Sequence, residues 1–258
     1  RLLYGGLFEH LCKFLYTRDY KVKFDSDFNN EKIKIKKDFI DSLKLPVIPR
    51  DYQMIAANHA LSHHKALLLS PTASGKSLII YILLRYLNLK TLILVPTTSL
   101  VSQMYNDFRE YGFDVANNCH TVFAGRDKGS ELPIIISTWQ SIYKMQQKYF
   151  EQYELVIGDE AHGFKSKSLT SIMTKCINAK YRIGTTGTLD GTLTHKLVLE
   201  GLFGKVYKVT STKKLIDSNH LSPFTIRAIL LRHPDSICHD LRNISYQEEL
   251  DYLVTSEA

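Results

Sequence analysis

The stretch Ser70-Pro71-Thr72-Ala73-Ser74-Gly75-Lys76-Ser77 decides how the rest of the chain is read. It follows the apolar run Ala66-Leu67-Leu68-Leu69 and opens a segment, 76–87, whose apolar residues repeat at helical spacing. A strand that turns through small residues into a helix lets backbone N–H groups wrap an anionic phosphate, with the positive end of the helix dipole behind them. The loop candidates are Pro71, Thr72, Ala73, Ser74, Gly75, Lys76 and Ser77. Gly75 allows close backbone approach, the Lys76 ammonium reaches the outer phosphates, and the Ser77 hydroxyl takes a place on Mg²⁺. Two positions depart from the common pattern. Ser70 stands where Gly or Ala usually opens the loop, and Ala73 stands where Gly is usual. Both are small enough for the loop to close.

Further along, Leu155-Val156-Ile157-Gly158-Asp159-Glu160-Ala161-His162 ends an apolar strand in a carboxylate pair. In a doubly wound sheet, ligands collect at the carboxyl ends of the strands. Asp159 then holds Mg²⁺, Glu160 orients and deprotonates the water that attacks the terminal phosphate, and His162 reports the state of that phosphate to its neighbours. Each stretch alone has a bland reading, a capped turn or a solvated strand end. Together, about three strand–helix units apart, they specify one ATP site with catalytic residues Lys76, Asp159, Glu160 and His162.

The intervening pattern supports that geometry. Strands are expected at 66–69, 91–95, 134–137, 155–158 and 181–185, and helices at 52–61, 76–87, 98–110, 140–148, 168–175 and 193–199. Strands apolar on both faces, alternating with helices, describe an α/β doubly wound parallel sheet. Residues 1–45 read as a small α/β accessory domain: a helix over 2–16, half-exposed strands at 21–24 and 32–36, and a turn at 27–30. Its lysines, Lys21, Lys23, Lys32, Lys34, Lys36 and Lys37, are either a solvated charged face or an accessory nucleic-acid contact. Pro46 and Pro49 mark a boundary. The expected division is 1–45, then 46–215 as the ATP-binding domain, then 216–258 as a linker and the start of a further domain.

Composition narrows the class. The 258 residues carry 33 basic and 26 acidic side chains, a formal net charge of +7, which favours an anionic partner. Cys12, Cys119, Cys176 and Cys238 form no Cys-x-x-Cys pair. That argues against a zinc ribbon or a disulfide framework, and predicts reduced thiols in a cytoplasmic protein. No apolar run approaches the ~18 residues of a membrane span. The chain opens on Arg1 and its last helical pattern, 246–258, breaks off in mid-course, so a fragment of a longer protein is expected.

With these motifs in that order, residues 47–210 resemble the superfamily 2 helicases, the branch with Asp-Glu-Ala-His in the magnesium motif. The resemblance implies a RecA-like P-loop domain that hydrolyses ATP with Mg²⁺. It also implies a nucleic-acid partner: DNA, including branched DNA, or RNA–DNA hybrids arising in recombination, repair and replication. Arg50-Asp51-Tyr52-Gln53 resembles the adenine-reading element, with Gln53 on the base and Arg50 in support, although Asp51 equally suits a helix cap. Pro96-Thr97-Thr98-Ser99-Leu100 with Gln103, and Ser137-Thr138-Trp139-Gln140-Ser141, resemble the backbone-contact motifs. Thr97, Thr98, Ser99, Gln103, Thr138 and Gln140 are the nucleic-acid candidates. Trp139 is read as core, with base stacking as the alternative. Thr186-Gly187-Thr188 resembles the coupling motif, its two hydroxyls linking hydrolysis to movement. Residues 221–231 resemble the crossing toward a second RecA-like domain, which in that family supplies arginines in trans. A translocase that moves on duplex without separating it, and a nucleotide-gated binding module, remain the competing functions.

Overall fold

The computed structural model describes residues 3–23, 32–123, 125, 127–189, 191–223, 225, 227–228 and 235–255. Seven strands form one sheet: β1 Lys65–Leu69, β2 Thr91–Val95, β3 Cys119–Val122, β4 Ile134–Thr138, β5 Leu155–Gly158, β6 Tyr181–Thr186 and β7 Val206–Lys208. Their order is β3-β4-β2-β5-β6-β1-β7, and every pairing is parallel. The five expected strands are all present, each within one residue of its expected ends. Their alternate side chains feed two cores. Ile93, Ile136 and Ile157 pack with Ala56, Ala60, Ile80 and Leu83 from helices Asp51–His63 and Lys76–Leu87. Leu92, Ile135 and Val156 point the other way, into Ile172, Met173, Leu199 and Phe203 from helices Lys167–Lys175 and Leu193–Phe203. Helices on both faces of a parallel sheet are the doubly wound, RecA-like arrangement that the alternating pattern implied.

The second core uses a notch in the sheet. Gly158 and Gly184 are register partners on β5 and β6. A Cβ at Gly158 would meet the Phe203 ring at 2.8 Å, and one at Gly184 would meet it at 3.0 Å. With no side chain at either place, Phe203 lies close to the backbone and stands edge-on to Phe164, ring centroids 5.0 Å apart.

The structure departs from the expected elements in several places, and residues 21–23, the described part of the strand expected over 21–24, form no strand. β3 and β7 carry polar residues, His120, Thr121 and Lys208, and so lack the doubly apolar signature. They are the two edge strands, paired on one side only. The helix expected over 140–148 is two short ones, Trp139–Ile142 and Gln147–Phe150. Between them Lys175 Nζ donates to the carbonyls of Tyr143 and Met145, at 3.0 and 2.8 Å, so those carbonyls leave the helical register. Residues 32–36 are not a strand. Their alternation has another cause: the Ile33 and Ile35 amides donate to Ser62 Oγ and Asn58 Oδ1 on helix Asp51–His63, at 2.9 and 2.8 Å, which turns Ile35 into the first core.

Residues 24 and 27–30, and part of 221–231, lie outside the described residues. The chain divides into two compact units, 1–221 and 222–258, so the first 45 residues belong to the same unit as the sheet. Helix Phe8–Tyr16 is tied to that unit by His10 Nε2, 2.8 Å from the buried Glu200 Oε2, and by Glu9, which accepts from Lys205 Nζ at 2.7 Å. The second unit contains helices Asp235–Asp240 and Tyr246–Thr255. The latter opens on a cap in which Ser245 N and Oγ both donate to Glu248 Oε2 at 2.8 Å. Among the described residues no helix is long and apolar enough to cross a membrane. None of the four cysteines is in a disulfide, and burial pushes the Cys119 and Cys176 thiols up to about 12.

Candidate functional site

The strand order explains how distant residues meet. β6 lies between β1 and β5, so the loop leaving β1 and the acidic pair leaving β5 flank the end of β6 at the same sheet edge. The loop is already closed. Ser70 N donates to Thr186 O at 2.8 Å, Ser70 Oγ and Ser74 Oγ lie 2.6 Å apart, and Ser74 Oγ donates to Pro71 O at 2.6 Å. The serine at position 70 is thus a bonded element of the loop. Gly75 has φ +77° and caps helix Lys76–Leu87; Ala73 also sits at positive φ, +61°, where a Cβ is unfavourable.

Lys76 Nζ lies 3.3 Å from Glu160 Oε1, with the lysine side chain 14% exposed. Glu160 Oε2 lies 3.3 Å from His162 Nδ1, and Glu160 itself has φ +50°, a left-handed conformation in a residue that rarely takes it. Asp159 is buried, and its Oδ1 accepts from Thr185 Oγ1 at 2.6 Å. Burial pushes the Asp159 carboxyl above the usual carboxylate range; the Thr185 hydroxyl pulls it back and neighbouring Glu160 raises it again. The next hydroxyl on β6, Thr186 Oγ1, lies 3.0 Å from His162 Nδ1 and donates to Thr188 O at 2.9 Å. Thr188 therefore meets Thr186 through its carbonyl. A lysine, a buried carboxylate, a hydroxyl from Ser77 and a helix start form the donor set of a triphosphate with a hard divalent cation, which takes few protein ligands and keeps water and phosphate oxygens.

Gln53 is 3% exposed. Its Nε2 donates to Ser74 O at 2.9 Å and its Oε1 accepts from Arg50 N at 2.8 Å. The amide thus ties the start of helix Asp51–His63 to the phosphate loop, and both of its ends are engaged within the protein. Arg50 Nη1 donates to the Tyr52 hydroxyl at 2.8 Å, which in turn donates to Ser74 O at 2.9 Å.

The nucleic-acid candidates divide. β2 and β4 are neighbours, so both backbone-contact motifs emerge side by side, and Gln140 Nε2 donates across them to Pro96 O at 3.2 Å. Thr98, Ser99, Gln103 and Gln140 are exposed. Thr97 caps helix Thr98–Glu110, its Oγ1 accepting from Leu100 N at 3.3 Å. Thr138 is 4% exposed with its hydroxyl 2.8 Å from Ser141 Oγ, so it shapes the turn from within. Trp139 is half-buried against the second core. Two residues were missed in the sequence. Thr185 adjoins Thr186 on β6 and is fully buried, on the strand face that Ile183 turns into the first core, so its hydroxyl needs a buried partner. His195 Nε2 donates to His162 O at 2.9 Å from a separate helix, and nothing in the sequence foretold it.

A model of the family described as the type III restriction enzyme, res subunit, matches residues 46–191, more than half of the chain. The chain belongs to that family. Its relatives include a DNA helicase and a DNA translocase. The ATP-dependent DNA helicase uvsW of Enterobacteria phage T4 is 32% identical over 97% of this chain and 53% of its own length. The DNA 3'-5' translocase XPB2 of Sulfurisphaera tokodaii is 28% identical over 73% of this chain and 46% of its own. The chain thus spans about half the length of these curated relatives. A crystal structure of the UvsW helicase from bacteriophage T4 superposes with a TM-score of 0.72 at 32% identity, covering 81% of this chain and 79% of that one. The Pyrococcus furiosus Hef helicase domain, 21% identical over 68% of this chain and 39% of its own, shares the fold at a TM-score of 0.54.

Proposed function

We propose that this chain is the ATP-binding half of a DNA helicase, and that it converts ATP hydrolysis into movement along a nucleic-acid backbone. The observation that carries the reading is the 3.3 Å approach of Lys76 to Glu160, beside the buried Asp159, from segments more than eighty residues apart in the sequence.

Without a triphosphate, Glu160 neutralises the Lys76 ammonium. An incoming γ-phosphate competes for that ammonium and releases the Glu160 carboxylate to take a proton from water. Lys76 and the amides of residues 73–77 hold the phosphates in place, the preorganised charge on which phosphoryl transfer depends. Ser77 and Asp159 would hold Mg²⁺, which would supply charge neutralisation to the triphosphate. His162 faces both Glu160 and Thr186, so a change at the carboxylate reaches β6 through one side chain. Thr98, Ser99, Gln103 and Gln140 offer hydroxyls and amides to phosphate oxygens rather than to base edges. Arginines acting in trans belong to a second RecA-like domain, so this chain alone turns ATP over slowly.

In the protein that contains both halves, Lys76→Ala abolishes DNA-stimulated ATPase activity, whereas Glu160→Gln retains ATP binding and loses turnover. Normal turnover in either variant refutes the roles. The relationship to XPB2 supports a second reading, translocation on duplex DNA without strand separation. Strand displacement compared with triplex displacement distinguishes the two. Forked, four-way and RNA–DNA hybrid substrates, compared as ATPase stimulants, test action on recombination, repair and replication intermediates.

A further inference from the structure

The phosphate-loop serine makes contacts that the reaction above leaves unused. Ser77 Oγ lies 3.0 Å from the Tyr111 hydroxyl. Asp107, half-buried and one helical turn before Tyr111, has its carboxyl pKa raised by burial and pulled back by the Ser77 hydroxyl. Asp107 sits in the last turn of helix Thr98–Glu110, and Tyr111 is that helix's C-terminal cap. They reach Ser77 because Tyr81, one turn further along helix Lys76–Leu87, packs its ring against Tyr111 and Phe108 at centroid distances of 5.3 and 5.6 Å. This aromatic packing brings the end of one helix against the start of the other.

A carboxylate only accepts, and a serine hydroxyl has one proton and two lone pairs. The Ser77 and Tyr111 hydroxyls can each be the donor of their contact, and in both cases the serine oxygen keeps a lone pair.

We infer that Asp107 and Tyr111 are positioning residues for the divalent cation, fixing the Ser77 hydroxyl so that its remaining lone pair is presented to the metal. The inference rests on Ser77 being a metal ligand. It adds that the ligand's direction and basicity are set from a helix that touches neither nucleotide nor metal. Partners of this outer kind typically change metal affinity by about 10–100-fold.

The test is Mg²⁺-dependent binding of a fluorescent ADP analogue by the purified protein carrying Asp107→Asn or Tyr111→Phe. Both replacements keep side-chain size, and Phe keeps the ring contact with Tyr81. Nucleotide affinity without metal is expected to match the wild type, while the Mg²⁺ concentration for half-maximal enhancement rises about tenfold or more. An unchanged Mg²⁺ requirement in both variants overturns the inference. So does an equal loss of affinity with and without metal, which marks a merely repacked helix. Ser77→Ala separates the two levels. If it leaves the Mg²⁺ requirement unchanged, the ligand assignment fails and the inference with it. If it shifts the requirement while the other two variants do not, the inference alone fails.

Discussion

Two residues of the phosphate loop share a left-handed backbone and differ in what a Cβ meets there, which makes a reciprocal exchange informative. Ala73, at φ +61°, is exposed. Gly75, at φ +77°, lies against Gln53, and an added Cβ would collide with Nε2 of that buried amide. A left-handed L residue costs about 1–2 kcal/mol, and glycine gives back about 0.5–1 kcal/mol through the freedom of its unfolded chain. Ala73→Gly should therefore stabilise the chain by about 0.5–1 kcal/mol, with Tm rising by roughly 1–4 °C for a domain of this size. Gly75→Ala carries the same backbone cost in reverse and displaces Gln53 from Ser74 O and Arg50 N, each bond worth about 1 kcal/mol, for a loss of about 2–4 kcal/mol. Urea unfolding at fixed pH, with thermal melts in parallel, measures both. Destabilisation by Ala73→Gly, or a Gly75→Ala protein within about 0.5 kcal/mol of the parent, would refute this account of the loop.

Other consequences concern charge and hydrogen bonding. Asp159→Asn removes a buried charge yet leaves an oxygen to accept from Thr185. Because the native carboxyl pKa is raised, ionisation is unfavourable in the fold, so the variant is more stable than the parent at pH 7.5. The difference shrinks as pH falls through the raised pKa; urea midpoints at pH 7.5 and 5 check the sign, and a less stable variant at pH 7.5 contradicts it. Thr185→Val deletes the 2.6 Å bond to Asp159 and raises that carboxyl further. Mg²⁺-dependent nucleotide binding then weakens most at acidic pH, and an unaltered pH profile of binding counts against the role. Thr98→Val with Ser99→Ala should weaken DNA binding at every sequence alike and flatten its salt dependence; a sequence-selective loss would mean that bases are being read.

What the sequence disclosed, and what it withheld, follows from where each residue's partners lie. The five inner strands declared themselves because burial on both faces leaves only apolar residues acceptable at Leu92–Leu94 or Ile134–Ile136. Edge strands β3 and β7 are held mainly by one neighbour's hydrogen bonds, which any residue supplies. Lys76, Asp159 and Glu160 were visible because their chemistry is local to short motifs. The positions of Gln53, Thr138 and His195 were not. Each is defined by a partner on another element: Ser74 for Gln53, the turn at Ser141 for Thr138, and the His162 carbonyl for His195. An alternating segment such as 32–36 signals a buried face without naming what buries it, and a helix proved to be the answer.

The single strand between phosphate loop and acidic pair has a consequence for how such a chain can change. Neighbouring strands are held about 4.8 Å apart by backbone hydrogen bonds, so two steps fix the gauge across β6 at roughly 10 Å whatever side chains are present. Drift in the sequence can strengthen or loosen the grip at either rail. It cannot alter the distance between the two rails, so the loop and the acidic pair stay neighbours whatever else in the chain changes.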